Sequence, residues 1–157
     1  MSSAKNYRKK STSRSGLELL QAIINGTASP PNMGKTLGFH LVHAEDGKTI
    51  FEGCPESHVI NPAGTVHGGW YGALLDSCMG CAVHSKINSE QIYTTLEYKV
   101  SLIRAISLGT RVRAIGTVQH AGRSTGIANG EIRGIEDDRL YATGSTTCII
   151  MAAPAIS

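Results

Sequence analysis

Apolar residues Leu17, Leu20, Ile23 and Ile24 recur at helical spacing in GLELLQAIING, residues 16–26, and Gly26 offers a stop. TASPPNMG interrupts that pattern as a loop. KTLGFHLVHAEDGKTIFEGCP then reads as two strands joined at Glu45-Asp46-Gly47, Asp-Gly being a strong hairpin signal. ESHVINPAGTV reads as a loop with short extended pieces. From about Gly68 to Ser85 small and apolar residues run together without strand alternation, which predicts a long buried helix. Four strand-like segments follow, at 92–103, 111–120, 124–134 and 139–151. In the first, Thr94, Leu96, Tyr98, Val100 and Leu102 share one parity and Thr95, Glu97, Lys99 and Ser101 the other, so a two-faced strand is expected. The order is helix, two strands, long helix, four strands. That is an α+β arrangement of one helix layer against one antiparallel sheet. A long curved sheet wrapped around the central helix would hide it from water.

Composition narrows the class. A chain of 157 residues fits one domain with a real core. Aromatic residues make up only 5%, too few for a flat base-stacking platform. The net charge of +3 is unevenly placed: Lys5, Arg8, Lys9, Lys10 and Arg14 fall in the first fifteen residues with no acid among them. The remainder carries 10 basic against 12 acidic residues. Residues 1–15 are therefore expected to be a disordered, solvated basic tail, with an arm for an anionic partner as the alternative, and residues 16–157 a single domain. No apolar segment follows the basic start, and no run approaches the ~20 apolar residues of a membrane span, so neither a secretory signal, a membrane nor a nucleic-acid partner is expected. Cys54, Cys78, Cys81 and Cys148 form no dense framework, which points to reduced thiols in a cytoplasm. Cys78-Met-Gly-Cys81 has redox spacing, but it lies inside the expected helix and lacks a second Cys/His pair. Buried apolar thiols are the expectation, with no metal and no cofactor.

Chemistry concentrates in NPAGTVHGGWYGALLDSCMG, residues 61–80, where one carboxylate, Asp76, sits in an apolar run. Gly68 and Gly69 allow a ligand close to the backbone, and the first amides of a helix are unpaired donors at the positive end of its dipole. Such amides can polarise a carbonyl and hold an oxyanion. Asp76 lies eight residues beyond Gly68, roughly 12 Å along a helix axis. It cannot reach a carbonyl held at the start of its own helix. Either the two features are unrelated, or an antiparallel pair of such helices about a two-fold axis brings Asp76 of one copy to Gly68 of another.

The segment NPAGTVHGGWYGALLDSCMGCAVHS resembles the signature of the hotdog-fold acyl-CoA thioesterases of the PaaI type, matching at Asn61, Gly64, His67, Gly68, Gly69 and Asp76. Similarity extends through PPNMGKTLGFHLV, YTTLEYKVSLIRAI, HAGRSTGIANGEI and RLYATGSTTCII, about residues 30–150. The resemblance implies a hotdog fold, an acyl-CoA substrate and a homodimer or homotetramer. It also implies roles: Gly68 polarises the thioester carbonyl, Asn61 and His67 orient the thioester or the water, and Asp76 of the facing subunit is general base or nucleophile. Thr95, or else Thr94, would orient the water. Arg123 of the Gly122-Arg123-Ser124 turn would meet a nucleotide phosphate, and Gly69, Thr94 and Ser124 complete the expected substrate contacts. Arg104 stands at a position that in the family is often followed by Pro, and here Ala105 follows, which weakens a role for it. Each residue also has a plain structural reading: an Asx turn for Asn61, a cap or packing for His67, β propensity for Thr95, local hydroxyls such as Ser77 for Asp76, and a solvated turn for Arg123. Trp70, Tyr71, Met79 and Cys78 suit an acyl pocket and a core equally.

Other functional classes fit less well. A non-catalytic acyl-CoA-binding hotdog module is the alternative. A DNA-binding regulator would need more chain before residue 30, and no hydratase-like motif is present. An idle oligomer would not need Asp76.

Overall fold

The computed structural model describes residues 14–154. Of the expected basic tail, all but Arg14 and Ser15 lie outside the described residues. Ser15 caps α1 (Gly16–Ile24): its hydroxyl accepts from the Glu18 amide and the Glu18 carboxylate accepts from the Ser15 amide, a reciprocal capping box. One short element departs from expectation. Residues 32–37, read as the end of a loop and the start of a strand, form helix α2 (Asn32–Leu37). It begins after Pro31 and stops at Gly38, whose φ of 73° is the left-handed conformation glycine tolerates. α2 has no fully buried residue, so it carries no apolar stripe to reveal it.

β1 (Phe39–Glu45) and β2 (Lys48–Gly53) form the expected hairpin. A loop with one 3₁₀ turn leads into α3 (Gly68–His84), which is followed by β3 (Gln91–Leu102), β4 (Val112–Ala121), β5 (Thr125–Gly134) and β6 (Leu140–Ala152). The six strands form one sheet in the order β1-β2-β4-β5-β6-β3, every neighbouring pair antiparallel. β3 therefore leaves the end of α3 for the far edge of the sheet, beside β6.

The sheet curves around α3. Leu74, Leu75, Cys78, Met79, Ala82 and Val83 of the helix are buried, and with Val112, Ala114, Ala128, Ile132, Ala142 and Cys148 of the strands they form the helix–sheet part of the core. Close approach depends on missing side chains in the sheet. A Cβ on Gly116 would run into the Cys78 carbonyl oxygen, and one on Gly130 would lie 2.8 Å from Met79 Cγ. Thr49, fully buried on β2, donates to that same Cys78 carbonyl at 2.7 Å, so its hydroxyl is not stranded. Trp70, Tyr71, Cys78 and Met79 belong to this core and are not free to line a pocket. Trp70 donates its indole N–H to Leu37 O at 2.8 Å, and the Tyr71 hydroxyl accepts from the Ile106 amide at 2.7 Å.

β3 corrects the two-faced reading. Its register against β6 shifts between Thr95 and Glu97, leaving Leu96 as an extra residue in a β-bulge. Before the bulge Tyr93 and Thr95 pair with Ile150 and Cys148. After it Tyr98, Val100 and Leu102 pair with Thr146, Gly144 and Ala142. The odd-numbered residues thus face α3 first and the even-numbered ones afterwards. Thr146, buried on β6, donates to the Glu97 carbonyl at 2.9 Å and secures the strand beside the bulge.

Candidate active site

The loop before α3 is built around Asn61. Its side-chain oxygen accepts from the Ala63 amide at 2.9 Å and the Thr65 amide at 3.2 Å, and its nitrogen donates to the Thr65 hydroxyl at 2.8 Å. This is the Asx-type loop that the residue favours before proline. Gly64 turns there at φ 79°. The His67 amide donates to Val59 O, fixing where the helix begins.

His67 is the N-cap of α3. Its Nδ1 accepts from the Gly69 amide at 2.9 Å, and its carbonyl accepts from the Trp70 amide at 2.9 Å. An acceptor Nδ1 assigns the neutral ring's proton to Nε2, which leaves Nε2–H as a donor. The Gly69 amide is consequently taken by the cap, so the expected substrate contact through Gly69 is not available at that atom. The Gly68 amide has no acceptor among the described residues. It is the free donor at the positive end of a 17-residue helix.

From Gly68 one flank of α3 runs antiparallel to β3 in steps of four residues. Leu102 lies over Gly68, Tyr98 over Gly72 and Tyr93 over Gly80, where a Cβ on the glycine would come within 3.2, 3.2 and 3.1 Å of them respectively. The remaining rung is polar: Thr95 donates to Asp76 Oδ1 at 2.9 Å. Asp76 and Thr95 are each half-buried. Ser77 does not satisfy the acid, since its hydroxyl donates to Ala73 O at 2.8 Å. The structure chooses between the two threonines. Thr95 reaches Asp76, whereas Thr94 is exposed on the outer face of β3 and is not brought to the site.

Beyond Asp76 the seam becomes drier. Burial pushes the Tyr93 phenol well above its ordinary range and the Cys81 thiol up to about 12, the nearby Tyr93 hydroxyl lowering the latter in part. The Cys78 thiol is raised further still by burial. All four cysteines are free; Cys78 is buried as expected, whereas Cys81 is only partly buried. His84, its ring tilted 41° against that of Tyr93 at 5.2 Å, is held neutral down to about pH 4 by burial. Tyr93 had no place in the sequence reading, and Cys148 appeared there only as a reduced thiol. Only the cross-strand register puts them beside Asp76.

Arg123 and Ser124 are exposed in the turn between β4 and β5, and Ser124 O accepts from the Ile150 amide. Gly126, two residues on, pairs with Cys148, so this turn lies at the Thr95 end of the sheet. Arg123 makes no ion pair among the described residues. Arg104 is committed elsewhere, donating to Leu140 O at 2.9 Å. A separate groove of about 630 Å³ lies on the outer face of the sheet, lined by Lys99, Thr117, Asn129, Glu131 and Thr143. It faces away from α3 and holds none of the candidate residues.

Comparison with known proteins bears on the family and the fold. Residues 63–141 match the model of the thioesterase superfamily. No curated protein matches the chain. Among solved structures, a conserved protein of Pseudomonas aeruginosa is 31% identical, with 78% of this chain and 95% of that one covered and a TM-score of 0.72. The Escherichia coli PaaI protein from the phenylacetic acid degradation operon is 17% identical over 87% and 96% of the two chains, TM-score 0.76. A hypothetical thioesterase of Streptococcus pneumoniae, solved with coenzyme A, is 20% identical over 78% and 94%, TM-score 0.69. The fold is thus the hotdog fold that the sequence motif implied. The chain belongs to the thioesterase superfamily, and its activity is thioester hydrolysis. Among the described residues no helix is long and apolar enough to cross a membrane.

Proposed function

We propose that the protein hydrolyses acyl-CoA thioesters in a site shared by two copies of the chain. The observation that carries this reading is the polar content of one helix flank: an unpaired Gly68 amide and, two turns on, a carboxylate held by Thr95. A carbonyl bound at Gly68 is roughly 12 Å along the axis from Asp76 of the same helix. Two helices antiparallel about a two-fold near Gly72 close that gap twice over.

The edge strand supports the same assembly. β3 pairs only with β6 among the described residues, and Leu96, Leu102 and Ile103 on or beside it are 62%, 55% and 52% exposed. An unpaired edge carrying exposed apolar side chains favours a second copy. A homodimer, or a tetramer built from two such dimers, follows.

In the general-base form, Asp76 takes a proton from water as the water oxygen bonds to the thioester carbon. The Gly68 amide of the facing subunit holds the oxyanion, with His67 Nε2–H as a second donor. Collapse breaks the C–S bond, and the departing thiolate takes the proton back from Asp76. Direct attack by the carboxylate, followed by hydrolysis of an anhydride, gives the same products. Asn61 contributes by shaping the loop that aims His67 and Gly68. Arg123 and Ser124 offer contacts for the nucleotide end of the substrate. The reaction needs no cofactor, and reduced thiols suit the cytoplasm.

Thiol release from a panel of acyl-CoA substrates tests this reading. Asp76→Asn should fold and bind substrate yet lose rate by a factor on the order of 10²–10⁴. Full activity in that variant, or in a stable monomer, would overturn the shared-site mechanism.

A further inference from the structure

We propose that Cys148 is a positioning residue for Asp76: its S–H donates to the Thr95 hydroxyl, which donates to the carboxylate, so a one-way hydrogen-bond chain holds the acid. The inference rests on reading Asp76 as the reactive carboxylate. Thr95 Oγ1 lies 2.9 Å from Asp76 Oδ1 and 3.9 Å from Cys148 Sγ. A hydroxyl has one proton, and an ionised carboxylate only accepts. The Thr95 proton therefore points at Asp76, and the sulfur supplies the hydrogen in the second contact.

The backbone puts the three groups together. Thr95 and Cys148 are direct partners across β3 and β6, and both turn inward. Leu96, the extra residue in the bulge, lets Thr95 face the helix while Tyr98 and Leu102 beyond it do so as well. Cys148 is fully buried, so water cannot replace it as the donor. Burial raises its thiol above the usual range, outweighing the Thr95 and Thr146 hydroxyls that lower it, and keeps the proton on sulfur. A thiolate would instead accept from Thr95 and turn the hydroxyl away from Asp76.

The other titratable groups around the acid agree with this direction. Cys78 and Cys81 on α3 and Tyr93 on β3 are all held protonated by burial, and Glu97 on β3 is the second anion acting on Cys148. With its single proton committed to Oδ1, Thr95 neither donates to the substrate carbonyl nor takes a proton from water. Its task, shared with Cys148, is to fix the carboxylate so that Oδ2 faces the water.

A split of kcat from KM in Thr95→Val, Cys148→Val and the double variant tests the chain. Thr95→Val should lower kcat roughly tenfold with KM unchanged. Cys148→Val should lower kcat by less, again with KM unchanged, and the double variant should match Thr95→Val because Cys148 acts only through Thr95. A wild-type kcat in Cys148→Val, or additive effects in the double variant, would overturn the proposal. If Cys148→Val does not fold, the S–H infrared band remains as a readout: Thr95→Val should shift one thiol band to its unbonded position, and no shift would overturn the proposal. Asp76→Asn at the wild-type rate would sink the catalytic reading of the acid, whereas the thiol band reports the Cys148–Thr95 contact in either case.

Discussion

The two flanks of α3 solve the same packing problem in opposite ways. Toward β4, β5 and β6 the helix carries the bulk, with Leu75, Met79 and Val83, and the sheet supplies the gaps at Gly116, Gly126 and Gly130. Toward β3 the helix supplies the gaps at Gly68, Gly72 and Gly80, and the strand carries the bulk, with Leu102, Tyr98 and Tyr93. The first arrangement is dry and interlocked. The second leaves Gly68 and Asp76 partly exposed beside half-exposed side chains, which is where a ligand carbonyl can approach an amide and a carboxylate can remain partly solvated. Stability and chemistry are thus divided between two sides of one helix.

The largest effect should come from filling a gap on the dry flank. Gly116→Ala would place its Cβ against the backbone of Cys78 and Met79, atoms that cannot yield unless the helix moves. We expect a loss of at least about 4 kcal/mol, read as a collapse of soluble yield or of the urea midpoint. Leu75→Ala on the facing side removes bulk and should cost about 3 kcal/mol in the same measurement. If either variant kept wild-type stability but lost activity, the division between the flanks would be wrong.

His84 offers an intermediate effect at the buried end of the β3 flank. Burial lowers its pKa to about 4, while an unfolded histidine titrates near 6.5. Between those values the unfolded chain binds the proton and the folded chain does not, so stability is full above pH 6.5 and falls as pH drops toward 4. The contribution should be on the order of 2–3 kcal/mol across the window. Urea midpoints from pH 7.5 to 4 should fall less steeply in His84→Phe than in wild type. Equal slopes would mean that His84 is solvated.

This division also explains what was legible beforehand. The long helix, the hairpin and the four later strands follow from periodicity, and Asn61, His67, Gly68 and Asp76 stand out because one loop and helix hold them together. Two features were not legible for local reasons. α2 has six residues and no apolar stripe, and Leu96 continues a smooth alternation of residue types that hides the bulge. The rest depends on tertiary placement. That β3 crosses to the far edge, that Thr95 rather than Thr94 meets Asp76, and that Cys148 stands behind Thr95 all follow from a register between strands some 50 residues apart. Gly69 shows the converse: its amide looks available in sequence, but in the structure a histidine at N-cap accepts from it.

The smallest change in stability should come from filling a gap on the chemical flank. A Cβ on Gly72 would meet the Tyr98 hydroxyl at 3.2 Å, but that hydroxyl is the far end of a side chain 46% exposed, which can swing outward. Alanine also favours a helix interior over glycine by ~1 kcal/mol, offsetting the contact. Gly72→Ala should therefore leave the urea midpoint of the fold within about 1 kcal/mol of wild type. Its activity should fall several-fold, because the methyl displaces Tyr98 on the flank between Gly68 and Asp76. Gly130→Ala makes the matched control: it crowds Met79 and Leu75 on the dry flank, so its loss should appear in stability, with the rate per folded molecule kept. If Gly72→Ala retained full activity, the β3 seam could not be where the thioester is cleaved.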